Sequence, residues 1–134
     1  MRVVLDTNVL FAAFVTHGVC AGLYEECLLQ ADILVSDFIL SELADRLVAK
    51  GKFTQTEAQA VVQAVRKDAI RVSPVALAHR VCRDANDDWV LATAITAQAD
   101  AIVTGDKDLL VLKTFEGIAI VTPRGFLALM QGNY

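Results

Sequence analysis

Met1-Arg2-Val3-Val4-Leu5-Asp6-Thr7-Asn8 is the stretch whose reading decides the fold. Three apolar residues run straight into an acid, a hydroxyl and an amide. Val3 to Leu5 read as a short parallel strand, because strands covered on both faces are continuous apolar runs. The polar residues then fall at that strand's C-terminal end, where open α/β sheets place their ligands. Asp6 is thereby the expected centre of an acidic metal site.

Working outward, strands alternate with helices to the end of the chain. Residues 9–15 read as a first helix, broken by Thr16-His17-Gly18, and residues 19–30 as a second. Ile33-Leu34-Val35 is a second strand, after which Ser36 or Asp37 caps a helix over 38–49 that carries Glu42 and Arg46. Thr54-Gln55-Thr56-Glu57 has the spacing of a capping box and opens a helix to about Asp68. Ile70-Arg71-Val72 is a third strand, stopped by Ser73-Pro74, and residues 75–82 read as a short helical stretch. An Ala-rich helix is expected over 89–99, a fourth strand at 101–103, a helical turn at 109–112 and a fifth strand at 118–121. Pro123 then starts a last helix. This alternation predicts an α/β fold with a parallel sheet of five strands covered on both faces.

At 134 residues, with 55% hydrophobic and 21% charged, the chain is expected to form one domain, 1–134, with a full core. No apolar run approaches a membrane span and the first residues lack the pattern of a signal peptide, so the expectation is a cytoplasmic protein with no membrane partner. Cys20, Cys27 and Cys82 show no CxxC spacing and read as small buried thiols. A net charge of −4 argues against a broad electrostatic nucleic-acid surface. It leaves room for an enzyme that grips phosphates through bound cations. Arg46, Lys50, Lys52, Arg66 and Lys67 read as a solvated face.

Acids gather at the strand ends. Asp6 follows the first strand, Asp37 and Glu42 the second, and Asp106 and Asp108 the fourth; Asp84, Asp87 and Asp88 precede the fourth at a helix start. In a parallel sheet these ends share one edge. Carboxylates converging there repel one another unless a cation holds them. Hard oxygen ligands suit Mg²⁺ or Mn²⁺, as one ion or as two about 4 Å apart, and such ions serve phosphodiester hydrolysis. Each acid also has a purely structural reading. Asp84, Asp87 and Asp88 can complement a helix N-terminus, Asp106 and Asp108 can cap a turn, and Glu42 can pair with Arg46 four residues on. Helical spacing sets Asp87 with Val90, Leu91 and Ala94, and Asp88 with Leu91, Ala92 and Ile95, so both registers stay open.

Four blocks carry a resemblance: Val-Leu-Asp-Thr-Asn-Val-Leu at 4–10, Ser-Asp-Phe-Ile-Leu-Ser-Glu-Leu at 36–43, Asp-Asp-Trp-Val-Leu-Ala-Thr-Ala at 87–94 and Ile-Val-Thr-Gly-Asp-Lys-Asp-Leu-Leu at 102–110. In this order and spacing the chain resembles the PIN-domain nucleases, above all the prokaryotic (VapC-like) toxins of toxin–antitoxin pairs. The resemblance implies a three-layer α/β/α sandwich and an Mg²⁺- or Mn²⁺-dependent ribonuclease that leaves a 5′-phosphate and a 3′-hydroxyl. It places the family's four acids on Asp6, Glu42, Asp87 and Asp106. Asp6, Asp87 and Asp106 would hold metal, and Glu42 would complete the site or orient the attacking water. Thr7, Asn8 and Thr104 fit supporting hydrogen-bond roles, with Asp84, Asp88 and Asp108 as further supporting acids. It also implies an RNA substrate, a small antitoxin covering the acidic site, and a homodimer. Two alternatives compete. Asp6-x-Asn8 is similar to the nucleophile motif of haloacid-dehalogenase phosphatases, but Asn8 stands where those need a second acid. A catalytically inactive binding module of the same fold is the other.

Overall fold

A computed structural model describes residues 1–132. In chain order its elements are β1 (Arg2–Leu5), α1 (Thr7–Val15), α2 (Val19–Gln30), β2 (Asp32–Val35), α3 (Asp37–Ala49), α4 (Gln55–Asp68), β3 (Ile70–Arg71), α5 (Ala85–Thr96), β4 (Ala101–Val103), α6 (Lys107–Leu110), β5 (Thr114–Phe115), β6 (Ile118–Val121) and α7 (Pro123–Met130). The strands form one sheet in the order β3-β2-β1-β4-β6-β5. All neighbours are parallel except the β5–β6 pair.

β1 is central for a simple reason. Val3, Val4 and Leu5 are at most 1% exposed, and both backbone edges are paired, to β2 and to β4. Each such side chain contributes about 1.5–3 kcal/mol by leaving water. From β1 the chain crosses through α1 and α2 to β2, and through α3 and α4 to β3, always in one direction. Right-handed crossovers put these helices on one face, where α1 packs on α2 and α3, α3 on α4, and α7 on α2. The return through α5 to β4 reverses direction, and α5 lies across β1, β2 and β4. The result is the expected three-layer sandwich. The connections therefore diverge at β1 and β4, whose C-terminal ends form the topological switch point.

Three expectations are corrected. The sheet has six strands, because Thr114–Phe115 pairs antiparallel with Ile118 and Ala119. Glu116 (φ 50°) and Gly117 (φ 80°) turn this hairpin in the left-handed region, a two-residue turn matched to strand twist. Residues 75–82 are not helical. Their amides are taken instead by side chains: Val75 N–H donates to Thr96 Oγ1 (3.0 Å), and Val81 and Cys82 donate to Asp88 (3.1 and 2.7 Å). The Ala-rich helix begins at Ala85, four residues earlier than its apolar pattern, because Asp84 caps it through the Asn86 amide at 2.9 Å.

Other caps follow the sequence. Ser36, not Asp37, caps α3 by accepting from Ile39 N–H at 3.2 Å, and the Thr54–Glu57 capping box of α4 is complete. Cys27 and Cys82 are buried, Cys20 is half-buried, and all three are free thiols. Among the described residues no single helix is long and apolar enough to cross a membrane; α1 and α2 reach that composition only together, with a 104° bend between them.

Candidate active site

Asp6 sits where β1 passes into α1. Its amide continues the sheet to Val103 O at 3.0 Å, and its backbone carbonyl accepts the first helical bonds from Val9 and Leu10. Asp6 is thus the N-cap of α1, and the positive end of the helix favours its charge. Oδ1 accepts from Thr7 N–H and Oδ2 from the Thr104 hydroxyl, both at 2.8 Å. With 7% of the residue exposed, burial is the strongest influence on this carboxyl and raises its pKa. The two hydrogen bonds oppose that rise, and the neighbouring charges of Glu42 and Asp106 add to it.

Thr104 ends β4 beside it and is fully buried. Its hydroxyl donates to Asp6 and accepts from Asp106 N–H at 3.0 Å, so one oxygen joins two acids across the switch point. Asp106 in turn caps α6, accepting from Asp108 N–H at 2.8 Å. The structural reading of Asp106 as a cap is therefore correct as far as it goes, yet the capping carboxylate also faces Asp87.

Asp87 and Asp88 lie in the first turn of α5 and diverge. Asp87 is 7% exposed on the same face as Val90, Leu91 and Ala94. Burial first, then the carboxylate of Asp106 and its hydrogen bond, then the charges of Asp6 and Asp84, push its pKa up to about 7. Asp88 points back along the chain to the Val81 and Cys82 amides. Burial pulls its pKa upward, but those two donors outweigh it and hold the carboxyl below the usual range. The open register is thus resolved by packing: Asp87 faces Asp6 and Asp106, while Asp88 holds a loop.

Glu42 enters from α3. Oε1 accepts from the Thr7 hydroxyl at 2.6 Å; Oε2 lies 3.3 Å from Asn86 Nδ2 and 3.8 Å from the Arg46 guanidinium. Arg46 also donates to Asn8 Oδ1. Glu42 therefore pairs with Arg46 as helical spacing allows, and at the same time turns toward Thr7 at the sheet edge. Arg83, exposed, donates to Asp108 Oδ1 at 2.7 Å. Sequence reasoning missed Asn86 and Arg83. Asn86 was visible as the neighbour of Asp87, but the Arg83–Asp108 pair, 25 residues apart, left no local signal.

Asp6, Asp87 and Asp106 thus share one edge, with Glu42 close to Asp6 and Asp84 close to Asp87. Among the described residues no ion pair reaches Asp6, Asp87 or Asp106. Oxygens of Asp87, Asp106 and Asp108 lie within 4.8 Å of one another, a set of hard donors that one divalent cation can bridge. Repulsion among them is the cost that such a cation removes. A mostly apolar groove of about 480 Å³ lies elsewhere, between the 75–81 segment, α5 and the β5–β6 turn.

The fold has solved counterparts. VapBC2 from Rickettsia felis, in a structure bound to a DNA fragment from their promoter, matches with a TM-score of 0.64 at 16% identity, covering 91% of this chain and 98% of that one. VapBC-1 from nontypeable Haemophilus influenzae matches with a TM-score of 0.65 at 13% identity, covering 92% and 99%. FitAcB from Neisseria gonorrhoeae matches with a TM-score of 0.59 at 14% identity, covering 91% and 98%. No curated protein matches the chain by sequence. The family model described as the PIN domain matches residues 2–108, a span that holds β1 with Asp6, Glu42 on α3, Asp87 on α5 and the Thr104–Asp108 turn. The chain belongs to the PIN-domain family of nucleases.

Proposed function

We propose that this chain is a divalent-metal-dependent endoribonuclease, working as a single domain in the cytoplasm and serving as the toxin of a toxin–antitoxin pair. The observation that carries the reading is the cluster of Asp87, Asp106 and Asp108 oxygens within 4.8 Å of one another, with buried Asp6 joined to Asp106 through the Thr104 hydroxyl and no ion pair on Asp6, Asp87 or Asp106 among the described residues. Folding does not need such an arrangement and would be easier without it. A cation gives it a purpose.

Asp6, Asp87 and Asp106 are the proposed ligands of one or two Mg²⁺ or Mn²⁺ ions, with Asp108 as a candidate fourth because its oxygen lies within reach of the last two. Bound there, an ion supplies positive charge against a phosphate's non-bridging oxygen and lowers the pKa of a water. The protein's own groups do the rest. Thr7 N–H and the Thr104 hydroxyl fix both oxygens of Asp6, leaving its outward lone pairs for a ligand. Asp87, whose pKa burial and Asp106 push up to about 7, would be held as a carboxylate by a bound cation. Glu42, anchored by Thr7, orients the attacking water and accepts its proton at Oε2. In-line attack by the water oxygen would break the P–O3′ bond, leaving a 5′-phosphate and a 3′ oxygen that takes a proton from solvent to become the hydroxyl, and no protein nucleophile is needed.

Fold similarity to VapBC and FitAcB structures supports a small antitoxin partner; that it covers the acidic edge and that the toxin dimerises are expectations from the resemblance of the four sequence blocks alone. The test is cleavage of end-labelled RNA with Mg²⁺, with Mn²⁺ and with chelator, beside the same DNA sequence. Cleavage of RNA only with an ion, giving 5′-phosphate ends, is expected. Metal-independent cleavage, or none under any condition, would overturn the reading.

A further inference from the structure

Glu42 is held by more than its own helix requires. Thr7 from α1 takes Oε1, while Arg46 from α3 and Asn86 from α5 converge on Oε2. Arg46 is itself tied to Asn8 of α1 and is only 30% exposed. An ordinary surface pair between residues four apart has no such second anchor and holds its side chains only loosely. Asn86 comes from the opposite layer, since α3 and α5 cover different faces of the sheet. The two layers are thus joined across the sheet edge through one carboxylate, directly beside Asp6. Carboxylates that must aim at a reacting group need their rotamer fixed by surrounding bonds.

We propose that Arg46, pinned by Asn8, and Asn86 are positioning residues that aim the Glu42 carboxylate at the acid cluster. The inference rests on the nuclease reading for its consequence, but not for its geometry. With Oε1 taken by Thr7, rotation of the carboxyl is limited by Arg46 and Asn86 on the other oxygen. A carboxylate offers about four lone-pair directions, so Oε2 keeps room for a water. Removing the Arg46 charge or the Asn86 donor frees that oxygen to swing while leaving Asp6, Asp87 and Asp106 in place.

Two measurements test this. In RNA cleavage with Mn²⁺, Arg46→Gln and Asn86→Ala each lower kcat, Arg46→Gln by about tenfold, with KM within about twofold, because the lost interaction serves the reaction and not the ground state. Combining Arg46→Gln with Glu42→Gln costs no more than Glu42→Gln alone, since both act through one group. A raised KM with unchanged kcat, or losses that add, would overturn the proposal and make Arg46 a direct phosphate contact instead. In the protein without metal, the carboxyl ¹³C resonance of Glu42 shifts in Arg46→Gln and in Asn8→Ala. An unmoved resonance overturns the inference whatever the activity. A shifted resonance in a protein that cuts no RNA would refute the nuclease reading and leave the positioning intact.

Discussion

Replacing Asp87 by Asn stabilises the metal-free protein at neutral and alkaline pH. The sign follows from where the carboxyl ionises. In the unfolded chain its pKa is near 3.8; in the folded one, burial and the Asp106 carboxylate push it up to about 7. Between those values the folded state binds the extra proton, so stability falls as pH rises through the window. Below the lower value the cost is absent, and above the upper one it is complete. The interval of about three pH units sets a ceiling of about 4 kcal/mol. The uncharged Asn must still bury a polar amide, which keeps the expected gain below that ceiling, at about 2 kcal/mol. Asn keeps the volume of Asp87 and can donate to Asp106. For a chain of this length the gain is about 6–8 °C in Tm. Thermal unfolding in chelator at pH 8 measures it directly. At about pH 4.5, close to the unfolded pKa, most of this gain is absent. Added Mn²⁺ raises the Tm of the wild type and erases the advantage of the variant. A variant that melts below the wild type at pH 8, or whose gain does not depend on pH, would refute the reasoning.

Thr104→Val removes the hydroxyl shared by Asp6 and Asp106 N–H while keeping its shape. Loss of about 1–3 kcal/mol in chemical denaturation is expected, because a buried carboxylate oxygen and a part-buried amide lose their partner, and RNA cleavage falls with it. Asp88→Asn weakens the hold on the Val81 and Cys82 amides. The Asp88 pKa is depressed on folding, so the lost stability, about 1 kcal/mol after allowance for partial exposure, is seen in full above the ordinary carboxyl pKa and fades as pH falls through the depressed folded one. Ser36→Ala removes the N-cap of α3 and costs about 1 kcal/mol in the same assay.

The parts of the site that were legible from residues alone are those whose chemistry is local. Val3-Val4-Leu5-Asp6 announces both the central strand and the acid at its end, since an apolar run stopped by an acid marks where a buried strand reaches the edge of its sheet. Thr104-Gly105-Asp106 does the same for β4. Asp87 and Asp88 were inseparable by spacing because Leu91 belongs to both faces, and only burial against the sheet distinguishes them. Residues 75–82 have helical composition, yet Asp88 and Thr96 claim their amides from a distance that no local pattern encodes. β5 is too short, at two residues, to carry periodicity, and its turn uses Glu116-Gly117 where Asn-Gly would have given notice. The network around Glu42 draws on α1, α3 and α5, and so becomes visible only when the layers are assembled.

The measurement that tests the central claim most directly is the rate of RNA cleavage against Mn²⁺ concentration for the wild type, Asp6→Asn and Asp106→Asn. The wild type should cut with saturable dependence on the ion. Both variants should lose more than about a hundredfold in rate while remaining folded, because each removes a proposed ligand that charge alone does not replace. A variant that cleaves RNA at the wild-type rate and ion dependence would contradict the assignment of this acidic edge as the nuclease centre.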